Sequence, residues 1–200
     1  MGKVILASAS PRRKELLEQL LDNRFEIYSS SYEEEPVEGL TPEELAVHHS
    51  REKAKAAARH FREGLVISAD TFVVCSGEIL GKPSSENMAK ATLQKISGQK
   101  IKVITGITLL DTGKGLEISE YETTLVFMKI LSAGEIDSYV NTGEPFGKAG
   151  AFAIQGKGAL FVKRIEGDYF NVVGLPLFRL GRMLEQIHAE SMLWDKSNLE

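Results

Sequence analysis

Residues 8–14, Ser8-Ala9-Ser10-Pro11-Arg12-Arg13-Lys14, put three cations into the predicted first turn of a helix, the end at which the macrodipole favours acids. Each misplaced charge costs about 0.3–1 kcal/mol there, and a bound anion would reverse the sign. The N–H groups of the helix start, the hydroxyls of Ser8 and Ser10 and the guanidiniums of Arg12 and Arg13 together offer a phosphate cradle, because arginine grips phosphate oxygens in pairs. The plain structural alternative is a proline-started helix with solvated cations.

Asp70 is the second unusual residue. It interrupts the apolar stretch Leu65-Val66-Ile67-Ser68-Ala69-Asp70-Thr71-Phe72-Val73-Val74. A carboxylate buried there is costly unless it is paired or bound to metal, so Asp70 is either a reactive acid or a satisfied structural one at a strand end or bulge. The triplet Glu33-Glu34-Glu35 could share a hydrated divalent cation with it, since magnesium often takes one or two carboxylates and completes its shell with substrate phosphates. A solvated acidic loop is the simpler use of that triplet.

Three lysines at expected turns, Lys53, Lys82 and Lys148, read singly as surface residues. Taken with Arg12, Arg13, Asp70 and the loop Ala153-Ile154-Gln155-Gly156, they resemble a site for a polyphosphate and its metal. Gln155 carries both donor and acceptor groups and could read the edge of a base.

The elements that must position these residues follow from periodicity and capping. A buried strand at residues 3–7 leads through Ser10 as N-cap and Pro11 at the first helical position into a helix with Leu16, Leu17, Leu20 and Leu21 on one face. Residues 25–31 look extended. Thr41-Pro42-Glu43-Glu44 is a capping box for a helix to about Phe61, and strand flanks Asp70 on both sides. Ser84 or Ser85 starts a third helix that Gly98 ends, and residues 101–110 and 117–130 make a long hairpin. Ser132 caps a fourth helix ending near Gly143. After a glycine-rich stretch at 143–158 come predicted strands at 159–165 and 169–173, and Pro176 opens a last helix to about Ile187. Helices mixed with hairpins indicate an α/β fold with a mixed sheet, not a doubly wound parallel one.

Composition narrows the functions. The 200 residues carry 24 Lys+Arg against 28 Asp+Glu, a net charge of −4, without a run of five basic residues, so no nucleic-acid-binding surface is expected. No apolar run reaches the ~18 residues of a membrane span, and no signal-peptide layout opens the chain; a cytoplasmic protein without a membrane partner is the expectation. The lone Cys75 lies in an apolar run and reads as core filler. P-loop, dinucleotide-binding, serine-hydrolase and zinc-protease motifs are all absent from the sequence.

The ordered set Ser8-Ala9-Ser10-Pro11-Arg12-Arg13, Arg51-Glu52-Lys53-Ala54, Ser68-Ala69-Asp70-Thr71, Gly81-Lys82-Pro83, Thr105-Gly106, Gly143-Glu144-Pro145, Lys148-Ala149-Gly150, Ile154-Gln155-Gly156 and Val173-Gly174-Leu175-Pro176 resembles the Maf family of nucleoside triphosphate pyrophosphatases. The resemblance implies an elongated mixed sheet with flanking helices and two lobes around a central cleft, similar to inosine triphosphate pyrophosphatase. It implies one catalytic domain over residues 1–188, with 189–200 a frayed or disordered tail, and a possible homodimer. It further implies hydrolysis of a nucleoside triphosphate between the α- and β-phosphates. Asp70 falls where the family has its proton acceptor, and Arg12, Thr71 and Gln155 fall where it sets substrate choice. Gln155 points to the branch acting on dTTP and UTP, a house-cleaning activity of nucleotide metabolism, and away from the branch favouring 7-methyl-GTP.

The mechanism expected from this combination holds Mg²⁺ or Mn²⁺ on Glu33 and Asp70. Ser8, Ser10, Arg12, Arg13, Lys53, Lys82 and Lys148 would bind the phosphates. Two other readings use the same residues: a nucleotide-binding regulator of cell division without turnover, and a phosphohydrolase releasing orthophosphate.

Overall fold

The computed structural model describes residues 3–35, 37–189 and 191–194. The strands are β1 (Lys3–Leu6), β2 (Glu26–Ile27), β3 (Gly64–Cys75), β4 (Glu78–Leu80), β5 (Lys100–Asp111), β6 (Leu116–Met128) and β7 (Val162–Glu166). They form one seven-stranded sheet in the order β2-β1-β3-β5-β6-β7, with β4 on β3. The sheet is mixed. β1 runs parallel to β2 and β3, whereas β3 with β4 and β6 with β7 are antiparallel.

The chain divides into two compact units, and the divisions fall within β3, β5 and β6. The first comprises residues 1–70, 105–122 and 174–200; the second comprises 71–104 and 123–173. In the first unit, α1 (Pro11–Leu21), α2 (Pro42–Ala58) and α6 (Leu177–Gln186) are the longer helices. Ile5, Ala7, Ala54, Ala57 and Val66 form a core that Tyr28, Phe61 and Leu110 extend. α2 can lie directly on β5 because residue 106 is glycine: a Cβ there would stand 2.2 Å from the Ala46 backbone. In the second unit, α3 (Glu86–Ile96) and α4 (Ala133–Val140) share a core with Val73, Cys75, Ile101, Val126 and Phe161, so Cys75 is indeed a core side chain.

The helix starts obey local chemistry. Ser10, Thr41, Ser85 and Ser132 are all N-caps, and Thr41 and Ser132 close full capping boxes with Glu44 and Glu135. Strand on either side of Asp70 proves to be one continuous strand, β3. The extended stretch expected at 25–31 pairs only at Glu26–Ile27.

Two expected strands are corrected. Residues 169–173 form a helical turn, α5 (Tyr169–Val173), because the Asp168 carboxylate accepts from Phe170 N at 2.7 Å and satisfies a helix-start donor. The span 159–165 begins as a 3₁₀ turn (Lys157–Phe161) and becomes strand only at β7. In the tail, α7 (Ser191–Trp194) is helical and lies against α1, and residues 195–200 fall outside the described residues. Among the described residues no helix is long and apolar enough to cross a membrane.

Candidate active site

Asp70 ends the first unit's portion of β3 and is buried, its side chain 4% exposed. Lys53 on α2 places Nζ 2.5 Å from Asp70 Oδ1 and 2.6 Å from Glu34 Oε1, so one ammonium bridges two carboxylates. Asp70 Oδ2 is buried with no hydrogen-bond partner among the described residues. A carboxylate oxygen removed from water and left without a donor costs of order 1–3 kcal/mol or more, which marks it as the position for a water, a cation or a reacting proton.

Hydroxyl contacts set this geometry from below. Ser68, two residues before Asp70 and on the same side of β3, donates through Oγ to the Ser50 carbonyl at 2.6 Å. Ser50 Oγ in turn meets Thr108 Oγ1 at 2.8 Å, and Thr108 meets Ser119 Oγ at 2.9 Å. Ser50 lies one turn before Lys53, so these bonds tie α2 to the sheet where its lysine must reach Asp70. Lys53 belongs to a helix interior, as the helix expected from Thr41 to about Phe61 requires, and not to a turn.

The phosphate cradle is built on the β1–α1 turn. Ser8 is buried, and its Oγ accepts from Ser10 N at 3.2 Å and from Arg13 Nη1 at 3.3 Å. Arg13 Nε donates to the Gly174 carbonyl at 2.8 Å, which fixes the guanidinium. Burial pushes Arg13 below its ordinary value; Asp70 and Glu34 draw it back up, and Arg12 adds to the lowering. Arginine stays charged throughout. The pull of Asp70 and Glu34 places Arg13 in the field of the two carboxylates that Lys53 bridges.

Glu33 and Glu34 are both exposed, and it is Glu34 that makes the ion pair with Lys53. Next to them Tyr32 Oη lies 2.8 Å from His49 Nδ1, one turn before Lys53 on α2. His49 is buried; burial pushes it below its ordinary value, opposed by Asp70 and Glu34 and aided by Lys53 and His48. Neither Tyr32 nor His49 is singled out by sequence motifs. Their only sequence signal is the i, i+4 spacing of His49 and Lys53, which puts both on one helical face.

Thr71, Lys82, Lys148 and Gln155 belong to the second unit. Thr71 follows Asp70 on β3 and is half-buried, Lys82 is exposed after β4, and Lys148 is half-buried with Nζ 3.4 Å from the Phe146 carbonyl. Gln155 is exposed on a loop whose neighbours are held by Glu144, a residue to which the sequence reading gives no role.

A divalent cation is implied by the family resemblance. Among the described residues no three His, Cys, Asp or Glu side chains are grouped to hold a metal alone. The open Oδ2 of Asp70, with Glu34 beside the same lysine, nevertheless fits a magnesium-like ion that takes one or two carboxylates and completes its shell with phosphate oxygens.

A cation-rich helix start beside a buried acid with one oxygen open, on a mixed α/β sheet, is suited to a polyphosphate ligand. Residues 3–187 match the model for Maf-like proteins, and the chain belongs to that family. It is 59% identical over 186 residues to the dTTP/UTP pyrophosphatase of Methanosarcina barkeri, an alignment covering 93% of this chain and 94% of that protein. With the dTTP/UTP pyrophosphatase of Methanococcoides burtonii the identity is 60% over 187 residues, covering 94% and 96%. The solved structure of the Staphylococcus aureus Ham1 protein matches with a TM-score of 0.53 at 14% identity, over 92% of this chain and 99% of that one, and shares the fold.

Proposed function

We propose that this protein is a pyrophosphatase of dTTP and UTP, hydrolysing the bond between the α- and β-phosphates to yield the nucleoside monophosphate and pyrophosphate. The observation that carries the reading is the buried Oδ2 of Asp70, without a hydrogen-bond partner among the described residues and held beside a cation-rich helix start. The names of the relatives at 59% and 60% identity support the choice of substrate.

In this mechanism Lys53 holds Asp70 through Oδ1 and leaves Oδ2 facing the attacking water. Oδ2 takes a proton as the water oxygen bonds to phosphorus and the anhydride bond breaks; the electron pair leaves with pyrophosphate. A positioned base of this kind contributes typically about 10²–10⁴-fold. Ser8, Ser10, Arg12 and Arg13 grip phosphate oxygens at the helix start, and the fixed guanidinium of Arg13 stabilises charge that develops on the leaving group. The sequence reading assigns Lys82 and Lys148 to the phosphates and Arg12, Thr71 and Gln155 to the choice of substrate. A Mg²⁺ or Mn²⁺ ion on Asp70 and Glu34, or on Asp70 and Glu33 as the sequence reading expects, would withdraw charge from the phosphates.

The test is a panel of dTTP, UTP, CTP, GTP and 7-methyl-GTP with Mg²⁺ or Mn²⁺, resolving monophosphate, pyrophosphate and orthophosphate. TMP and UMP released with pyrophosphate, and lost in Asp70→Asn, are the expected result. Orthophosphate as the product, or binding without turnover, would overturn it.

A further inference from the structure

Residues 153–158, the segment that carries Gln155, are anchored at both ends by two side chains outside the segment. Tyr139, at the end of α4, accepts through Oη from Ala153 N at 3.2 Å and donates its own proton to Glu144 Oε1 at 2.8 Å. Glu144 then accepts from Gly158 N at 2.9 Å through Oε1 and from Lys157 N at 3.0 Å through Oε2. The backbone is thus held two residues before and two residues after Gln155, while Gln155 itself faces solvent.

The loop sequence is shaped around that carboxylate. A Cβ at Gly156 would stand 2.5 Å from Glu144 Oε2, and one at Gly158 would stand 2.8 Å from both the Ala153 backbone and Tyr139 Oη. Only glycine at both positions lets the loop close on Glu144 and Tyr139. Tyr139 is itself buried, its ring edge-on to Phe161 with centroids 4.8 Å apart, so the anchor belongs to the rigid core of the second unit. Glu144 also fixes its own start, its N–H donating to Thr142 Oγ1 at 3.2 Å.

We propose that Glu144 and Tyr139 are positioning residues for base selection: they form a clasp that holds Gln155 where its amide reads the pyrimidine edge. The inference rests on the proposed dTTP/UTP activity and on Gln155 as the base reader, and adds the device that fixes it. An amide side chain discriminates bases only if its donor and acceptor stay registered with theirs, and a loop free to shift by 1 Å loses that register. The clasp touches backbone and not the reacting phosphates, so its loss weakens discrimination and raises KM more than it lowers kcat.

The experiment compares Glu144→Gln and Tyr139→Phe with the unsubstituted protein. Expected are a melting transition that stays cooperative, a UTP-over-CTP preference in kcat/KM reduced by about tenfold or more in both variants, and a kcat for UTP within about threefold. Hydrogen exchange at the Lys157 and Gly158 amides is read in parallel; glutamine keeps one acceptor oxygen, so the amide left facing the new NH2 group loses protection in Glu144→Gln. Folded variants with the base preference intact overturn the inference, as does an equal loss on every nucleotide. The two proposals fail separately: if the unsubstituted protein shows no UTP-over-CTP preference, the substrate reading fails. Unchanged amide protection in Glu144→Gln overturns the clasp whatever the substrate is.

Discussion

Asp70 and Glu144 are both carboxylates drawn partly or wholly out of water, one in each unit, and they are satisfied in opposite ways. Glu144 is saturated by neutral donors, two backbone N–H groups and a tyrosine hydroxyl, which together fix the shape of a loop. Asp70 is paired through one oxygen with a single lysine cation, and its other oxygen is buried with nothing donating to it among the described residues. Saturated acceptors hold structure, whereas an open lone pair on a buried carboxylate is available for proton transfer or a cation. The two acids should therefore respond differently to the same amide substitution.

The largest effect is expected from Asp70→Asn. The amide keeps the volume and can still meet a neighbour at one atom, but it cannot take a proton, so turnover should fall by about 10²–10⁴-fold. The folded state should survive, because Lys53 retains Glu34 at 2.6 Å. Steady-state pyrophosphate release alongside a urea melt checks both halves; near-normal turnover in a folded variant would break the contrast with Glu144.

Lys53→Met should be the more damaging change to stability. It strips the counter-charge from a carboxylate whose side chain is 4% exposed, and breaking a buried pair from one side costs about 3–5 kcal/mol. Glu34→Gln removes the outer partner of the same lysine. Glu34's side chain is 35% exposed, so solvent screening limits that change to about 0–1 kcal/mol. Denaturant midpoints of the two variants give the comparison directly, and equal losses would show that the lysine's two partners are energetically alike.

How much of this was legible follows from the range of each interaction. Helix starts were readable because an N-cap is a contact over three residues: Ser10, Thr41 and Ser132 act within their own turns. Asp70 was readable because an acid in an apolar run needs an explanation. Glu34 was not separable from Glu33, since successive side chains of an extended segment point to opposite sides and nothing local says which side meets α2. The stretch Tyr169-Phe170-Asn171-Val172-Val173 reads as strand by its aromatic and β-branched residues, yet Asp168 caps it into a helix and Asn171 Nδ2 donates to the Val103 carbonyl at 3.0 Å. The partners of Glu144 lie 5, 13 and 14 residues away, a distance at which spacing carries no signal.

Acid sensitivity should distinguish the two units next. Burial pushes the Glu144 carboxyl up, but the donors at Gly158, Lys157 and Tyr139, with the Lys157 charge, more than offset it and hold the group below its ordinary 4.5. A folded-state value below the unfolded one means the unfolded chain binds the proton first, so the stabilisation is full above about 4.5 and is lost as pH falls through the folded value. Glu144→Gln should flatten that acid limb of the melting temperature while lowering the plateau. An unchanged limb would show that the clasp is not the acid-labile element of its unit.

The smallest effect should come from His49, in the first unit and in a different window. Burial lowers its value from the ordinary 6.5, Lys53 and His48 act in the same direction, and Asp70 and Glu34 partly cancel the shift. For a base depressed in the fold the sign is the same: stability is complete above about 6.5 and declines as pH falls through the folded value, because the unfolded imidazole takes the proton first. The opposing carboxylates keep the net dependence shallow. Melting temperatures between pH 7.5 and 5.5, a range of about two units around the ordinary imidazole value, should fall slightly in the unsubstituted protein and less in His49→Gln. Equal slopes would mean that Tyr32 and the two acids accommodate the imidazolium at no cost.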